Sequence, residues 1–394
     1  MSRKERDFIL FLLAGAFLGF ASGISDSTLN NYLNEVFKIS ALQRGWIEFP
    51  RELPGLLVVF IAGFLFFLGD VRIAVVANLV GALGLFGIGL FAHSFNVLLI
   101  WLVLYSTGLH LYMPVSSSIG MNLSTEEDMG KRLGTLNSIN TLGNVLGCIA
   151  VLLGFGIFKI SYNLGFIIAG FAFVTAAVLT IRMHSEKPKL QKAKFVFRKQ
   201  YSLFYWLNIL FGARKQVFIT FAPWVLIKVF NQKVEVFAVL GIVGALIGIF
   251  FKPLVGRLID IIGEKYILMG EAFILIFISL GYAYLGKFRA ESFALYMAFA
   301  CYIVDQMLMA VGMARSTYIK KTIIDPEDLT ATLSTGVSLD HMVSMSIPTL
   351  GGLIWTLYGY KYVFLGAAFI ALLNLISTSF INVKRVNVSE NVAG

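Results

Sequence analysis

The sequence predicts an all-α integral membrane protein, with twelve transmembrane helices in two pseudo-symmetric six-helix halves. Three observations carry this expectation. About a dozen mostly apolar stretches follow one another through short loops, each near the ~20 residues that a helix needs to cross a ~30 Å hydrocarbon core. Hydrophobic residues make up 58% of the 394 and the mean hydropathy is +0.82, which leaves little sequence for a soluble domain. One long charged connection, 182–201, divides the stretches into two sets of six.

In chain order the first span is 8–32. It is too long for the apolar region of a signal peptide and lacks a small-residue cleavage site, so it reads as a retained first helix. The others of the first half (1–181) lie at 45–68, 73–91, 97–122, 133–157 and 162–181. After the basic linker, the second half (202–394) has spans at 202–229, 236–256, 266–285, 293–318, 331–357 and 360–381. At a constant offset the halves share residues: Glu127 and Asp128 match Glu327 and Asp328, and Leu133, Thr135 and Ser138 match Leu333, Thr335 and Ser338. Tyr162 matches Tyr362, and polar Asn140 stands opposite Asp340. Duplicated halves are a signature of secondary transporters, whose sites lie near the midplane between repeats.

The net charge of +10 is distributed unevenly. Most of the Lys and Arg fall in loops on the N-terminal side, most densely between Arg182 and Lys199. That places both termini and the middle loop in the cytoplasm by the positive-inside rule, most simply at the cell membrane, and it replaces nucleic acid as the reason for the basic composition. Cys148 and Cys301 both fall inside spans and read as packing residues; no disulfide framework, metal site or cofactor is expected.

The loop after the eighth span reads Gly256-Arg257-Leu258-Ile259-Asp260-Ile261-Ile262-Gly263-Glu264-Lys265. It resembles the cytoplasmic loop signature of the major facilitator superfamily, with Gly, Leu, Asp, Gly and a base in the signature positions. The resemblance implies the superfamily fold and a gate role for Gly256, Asp260 and Gly263. Gly256 is expected to allow close helix packing. The equivalent loop after the second span is degenerate, with Phe67 where the acid belongs and Gly69-Asp70-Val71-Arg72 as a substitute. The resemblance further implies that spans one, four, seven and ten line a central cavity, that two, five, eight and eleven join the halves, and that the protein is a monomer.

Ionisable groups inside a bilayer cost about 2.5–3.5 kcal/mol on insertion scales and ask for a reason. Span one places Ser22, Asp26 and Asn30 on one face, beside Gly15, Gly19 and Gly23. Asp26 reads as a proton site, a partner for a substrate cation, or half of a packing ion pair. Span four offers His110, either a proton relay or a neutral histidine lining the cavity. Span seven aligns Asn208, Gly212, Lys215, Gln216 and Thr220, with Lys215 toward the cavity and Arg214 about 100° away toward neighbouring helices. Span ten carries Asp305 and, further along, Arg315; Asp305 and Lys215 stand at similar depth, so a Lys215–Asp305 pair is expected as a breakable gate. Span two opens with Arg44, Glu48, Arg51 and Glu52, an outer gate network or a solvated helix end. Asn140 of span five and Asp340, with His341, of span eleven either contact solute or tie helices together.

These features point to secondary active transport of a small polar organic solute by alternating access, with Lys215 in its aromatic surround favouring an anion and the acids offering a site for a coupling proton or sodium. Export of lipophilic cations through Asp26 and Asp305 is the alternative in the same class. A sensor on this fold is a further one, although the short tails leave little room for a signalling appendage. No phosphate-binding loop, zinc motif or nucleophile elbow is present, which argues against a nucleotide-driven pump or a membrane enzyme.

Overall fold

The computed structural model describes residues 2–124, 129–184, 196–325 and 328–382, apart from the side chains of 58–64, 66, 129 and 130. The repeat matches at Glu127, Asp128 and Glu327, and the basic run at 185–195, lie outside the described residues.

Six long helices precede the middle loop: α1 (Arg3–Glu35), α2 (Ala41–Phe64), α3 (Asp70–Phe91), α4 (Phe95–Asn122), α5 (Met129–Gly156) and α6 (Tyr162–Ile181). Six follow it: α7 (Ser202–Lys228), α8 (Val234–Ile262), α9 (Glu264–Ala283), α10 (Glu291–Thr322), α11 (Asp328–Tyr358) and α12 (Tyr360–Ser379). Nine of these are long and apolar enough to cross a membrane by length and composition among the described residues. Most of the helices begin a few residues ahead of the expected spans, because a helix can continue past the apolar core into polar flanks; α6, α7 and α12 begin where expected. A capping box starts α1 five residues before the expected span: Ser2 Oγ accepts from the Glu5 N–H at 3.1 Å, and Ser2 N donates to Glu5 Oε2 at 2.7 Å. Span ten is not one continuous helix. A 3-10 turn at Met309–Val311 interrupts it ahead of Gly312, between Asp305 and Arg315.

Small residues set the close approaches. Gly19 and Gly23 of α1 lie against the backbone carbonyls of Asn140 and Asn144 of α5, while Gly143 and Gly147 of α5 lie against those of Ala16 and Phe20. Of the three α1 glycines singled out in the sequence, Gly15 has open space where its Cβ would be, and its carbonyl instead accepts from Asn140 Nδ2 at 3.0 Å. Gly143→Val would drive a side chain into the Ala16 carbonyl, so it should lower stability by about 1–3 kcal/mol. Thermal unfolding in detergent checks this against Gly134→Val, which enters open space on the same helix and should change little.

α2 packs along α11 and α5 along α8, which joins the first six helices to the last six in the way the resemblance implies. Gly45 of α2 lies against the Pro348 carbonyl of α11, and a Cβ at Gly352 would stand 2.6 Å from the Ala41 carbonyl oxygen. The described hydrogen bonds between the two sets fall in the middle or toward the end opposite the N-terminus. They are Glu48–Gln216 at 2.8 Å, Glu52–His341 at 3.0 Å, and Asn31 Nδ2 to the Gln232 carbonyl at 3.0 Å. Toward the N-terminal end, Pro114 and Ser117 of α4, Asn137 and Asn140 of α5 and Ser316 of α10 are exposed. The bundle is therefore drawn together at one end, with polar helix faces uncovered at the other.

Two equivalent turns carry the loop signature. Gly69 before α3 and Gly263 before α9 share a backbone conformation (φ 75°, ψ 158° and φ 91°, ψ 161°) that L side chains rarely adopt. Each is followed by an acid in the first helical turn: Asp70 accepts from Ser118 of α4, and Glu264 pairs with Lys321 of α10 at 2.6 Å. The degenerate first-half loop thus keeps the geometry through Gly69 and Asp70. Gly256 does not serve the expected packing role, since a Cβ there would meet nothing within 4 Å, and Asp260 is exposed.

Candidate functional site

Most of the charged residues in the middle of the described spans gather in three groups. On α2, helical spacing stacks Arg44, Glu48, Arg51 and Glu52 along one side. Glu48, fully buried, receives Arg44 at 2.5 Å and Arg51 at 2.6 Å; Arg51 also reaches Glu52 at 3.3 Å. Arg44 Nε donates to Asn30 of α1 at 2.9 Å, and buried Gln216 of α7 donates to Glu48 Oε2. This is a buried interface network and not a solvated helix end. Glu52 extends it to His341 of α11 at 3.0 Å, with His110 of α4 at 3.8 Å.

A second group lies wholly within the last six helices. Arg214 of α7, 2% exposed, donates to Asp305 of α10 at 3.1 Å and to Glu271 of α9 at 2.9 Å. Arg315 stands 3.7 Å from the same Glu271, its guanidinium 3.6 Å above the Phe211 ring. Two bases and two acids therefore balance in a site closed to water. The side-chain direction expected for Arg214 is found, and Glu271, which meets both Arg214 and Arg315, is the hub of this network.

The expected Lys215–Asp305 pair does not form. Lys215 binds Asp340 of α11 at 2.8 Å, and Asp340 also accepts from Ser344 at 3.1 Å. The physical reason is Gly212, three residues before Lys215, which lets the backbone and carboxylate of Asp340 lie directly against α7. Depth and direction along α7 were legible in the sequence, whereas which helix approached that face was not.

Asp26 stands apart. It is exposed, while Ile24, Ser25, Ser27 and Thr28 around it on α1 are buried. Arg51 of α2, Tyr105 of α4, Cys148 of α5 and Tyr302 of α10 all lie within its electrostatic reach, so it faces a space between the two helix sets. The other acids in the middle of the described spans (Glu48, Glu52, Glu271, Asp305 and Asp340) are each ion-paired; Asp26 makes neither a salt bridge nor a hydrogen bond among the described residues. Ser25 beside it bonds Tyr105 at 2.7 Å, which fixes the α1–α4 contact behind the carboxylate.

Twelve helices in two sets, joined through α2–α11 and α5–α8 around buried charge, form a transporter-like arrangement, and residues 11–320 match the family model of the Major Facilitator Superfamily. The chain belongs to this superfamily. It is accordingly a membrane transporter and not an enzyme, and secondary active transport by alternating access is typical of the superfamily. No curated protein matches the chain significantly. Among solved structures, the fold is similar to a mutant of the nucleoside transporter NupG, at TM-score 0.78 and 13% identity, covering 95% of this chain and 99% of that one. A bacterial homologue of the human lysosomal transporter Spinster, in its inward-facing, unoccupied conformation, gives TM-score 0.69 and 14% identity, covering 97% and 98%. At such identities the likeness concerns the fold.

Within this superfamily fold the sites expected from sequence separate by role. Asp26 faces open space. Asn140 is exposed and braces α1 through Gly15. Asn30, Gln216, Glu48, Arg51 and Glu52 belong to the interface network, Lys215 and Asp340 form a partly exposed bridge, and Arg214, Asp305 and Arg315 are closed within the last six helices. The convergence of His110 and His341 on Glu52 was not read from sequence; the two histidines lie on different helices with no repeat relation, so only tertiary packing brings them together.

Proposed function

We propose that this protein is a secondary transporter of a small, neutral polar organic solute, coupled to a cation, proton or sodium, that binds at Asp26. The observation that carries the reading is charge balance. Each central base (Arg44, Arg51, Arg214, Lys215 and Arg315) has an acidic partner, and the one central acid left without an ion pair among the described residues is Asp26. Among the described residues the central bases are all paired, so the anionic preference drawn from Lys215 in its aromatic surround loses its support. A cation at Asp26 completes the balance, and the exposed Asn137 and Asn140 offer donors and acceptors suited to hydroxyls or amides.

With cytoplasmic termini, the polar faces of α4, α5 and α10 open inward and the α2–α11 contact closes the outer side. The protein would act as a monomer in the cell membrane. NupG is a nucleoside transporter, so a nucleoside belongs in any test as one neutral polar solute.

The test is uptake of labelled solutes into proteoliposomes under imposed proton or sodium gradients. The panel covers sugars, nucleosides, organic anions, zwitterions and lipophilic cations. The expected result is gradient-dependent accumulation of a neutral polar solute. Transport of organic anions alone would overturn the reading, and transport of lipophilic cations alone would make Asp26 the substrate partner instead of the ion site.

A further inference from the structure

Glu52, His110 and His341 bring one donor atom each to within 4.8 Å of one another, from α2, α4 and α11. Their side chains are 9%, 14% and 13% exposed, so the group is not sealed from water. We propose that these three residues bind one divalent transition-metal ion of the zinc type, which bridges the two six-helix sets.

Hydrogen-bond bookkeeping orients the donors. Ser106 Oγ donates to the Arg51 carbonyl at 2.5 Å, so it has no proton left for His110. His110 Nδ1 lies 2.9 Å from the Ser106 carbonyl and 3.0 Å from Ser106 Oγ, both of which can then only accept. The proton of neutral His110 must therefore sit on Nδ1, and Nε2 turns a bare lone pair toward Glu52 Oε2 at 3.8 Å. A backbone carbonyl holding the far nitrogen is the support that metal-bound histidines ordinarily receive. Two lone-pair donors face each other here without a hydrogen between them, an arrangement that a cation relieves.

Distances and donor types agree. Tetrahedral zinc with ligands at its usual 2.0–2.2 Å separates neighbouring donors by about 3.4 Å. The Glu52–His341 and Glu52–His110 separations of 3.0 and 3.8 Å bracket that value. Two imidazoles and one carboxylate are a set that zinc accepts with an open fourth position, while calcium and magnesium prefer all-oxygen sites. Arg51 holds Glu52 by Oε1, leaving Oε2 for the ion, and its own charge is met by Glu48 at 2.6 Å. Gly55 clears the space: a Cβ there would stand 2.6 Å from His110 Cδ2 and 2.7 Å from His341 Nδ1. Ion binding displaces the proton between His341 Nδ1 and Glu52 Oε2, which passes to the buffer.

The inference does not rest on the proposed solute or coupling ion, and its test uses zinc alone. Calorimetric titration of zinc chloride into the purified full-length protein should show one saturable site per chain, with a heat that depends on the buffer's protonation enthalpy. His110→Gln, His341→Gln and Glu52→Gln should each weaken binding by more than about tenfold. Gly55→Ala should weaken it by pushing the two imidazoles aside, although it removes no ligand residue. Zinc-edge absorption on the wild type, which needs no variant to fold, should show two imidazole ligands. Backbone hydrogen exchange should slow in both α2 and α11 when zinc is added. Absence of a saturable site, binding that survives His341→Gln, or a spectrum without paired imidazoles would overturn the site. Protection confined to one helix set would overturn the bridge.

Discussion

Replacing Arg214 with methionine is expected to be the most destabilising single change in this chain, at about 3–5 kcal/mol. The guanidinium lies between Asp305 at 3.1 Å and Glu271 at 2.9 Å, and all three side chains are nearly sealed from water. Its removal leaves two carboxylates with Arg315 as their one remaining base, and Arg315 stands farther off, 3.7 Å from Glu271. An uncompensated buried charge costs more than the pair contributed, because desolvation is no longer offset by attraction or hydrogen bonds. The measurement is monodisperse yield and thermal unfolding in detergent. Arg214→Met should fall sharply in both, and Arg214→Met combined with Glu271→Gln should recover a substantial part by restoring the balance. If the double variant is no better than the single, the Arg214 contribution lies in packing against Phe211, 5.7 Å from the guanidinium, and not in charge.

The contrast between this network and the Lys215–Asp340 bridge shows how much a sequence can say about a membrane site. Hydropathy places nine of the spans among the described residues, because the bilayer demands a fixed length of apolar helix with its backbone hydrogen bonds closed internally; the more polar α2, α7 and α11 fall short of that pattern. Helical periodicity then gives each polar side chain a direction. It placed Arg214 and Lys215 about 100° apart on α7, and the two do contact different helices: α9 and α10 for one, α11 for the other. What periodicity lacks is the identity of the helix that approaches each face. Asp305 and Asp340 are chemically equivalent candidates for Lys215, and the choice between them falls to Gly212, whose contact with Asp340 is a tertiary fact. The 3-10 turn at Met309–Val311 was hidden for a related reason: no proline marks it, and the segment is apolar enough to read as continuous helix.

The loop signature gives the converse case, where a motif was legible but the packing role expected of one of its glycines is not found. Gly256 lies in open space inside α8, whereas Gly263 takes the positive φ that lets the chain leave α8 and start α9. Its first-half partner Gly69 does the same before α3 in a loop whose side-chain pattern has decayed. The two loops share a backbone conformation but not a side-chain pattern. Glycine and an acid in the next helical turn are what the turn requires: the first for its φ, the second for the unpaired N–H groups and positive end of the helix dipole.

Asp26→Asn is expected to have the largest effect on transport. A tenfold gradient of a monovalent cation stores about 1.4 kcal/mol, enough for about tenfold accumulation of solute in one-for-one symport. That coupling requires a group whose affinity for the ion changes as the helix sets rock, and Asp26 is the central acid without an ion pair to hold its charge among the described residues. Asparagine keeps the side chain's size and its hydrogen-bonding capacity but can neither take up a proton nor hold a sodium ion by charge. The variant should therefore lose gradient-driven accumulation almost completely while still exchanging labelled for unlabelled solute across the membrane. Folding should be nearly unchanged, because no salt bridge or hydrogen bond of Asp26 is removed. Measuring both modes on the same proteoliposomes separates the roles. Loss of exchange together with accumulation would place Asp26 on the solute itself, and retention of accumulation would move coupling to another group of the central site.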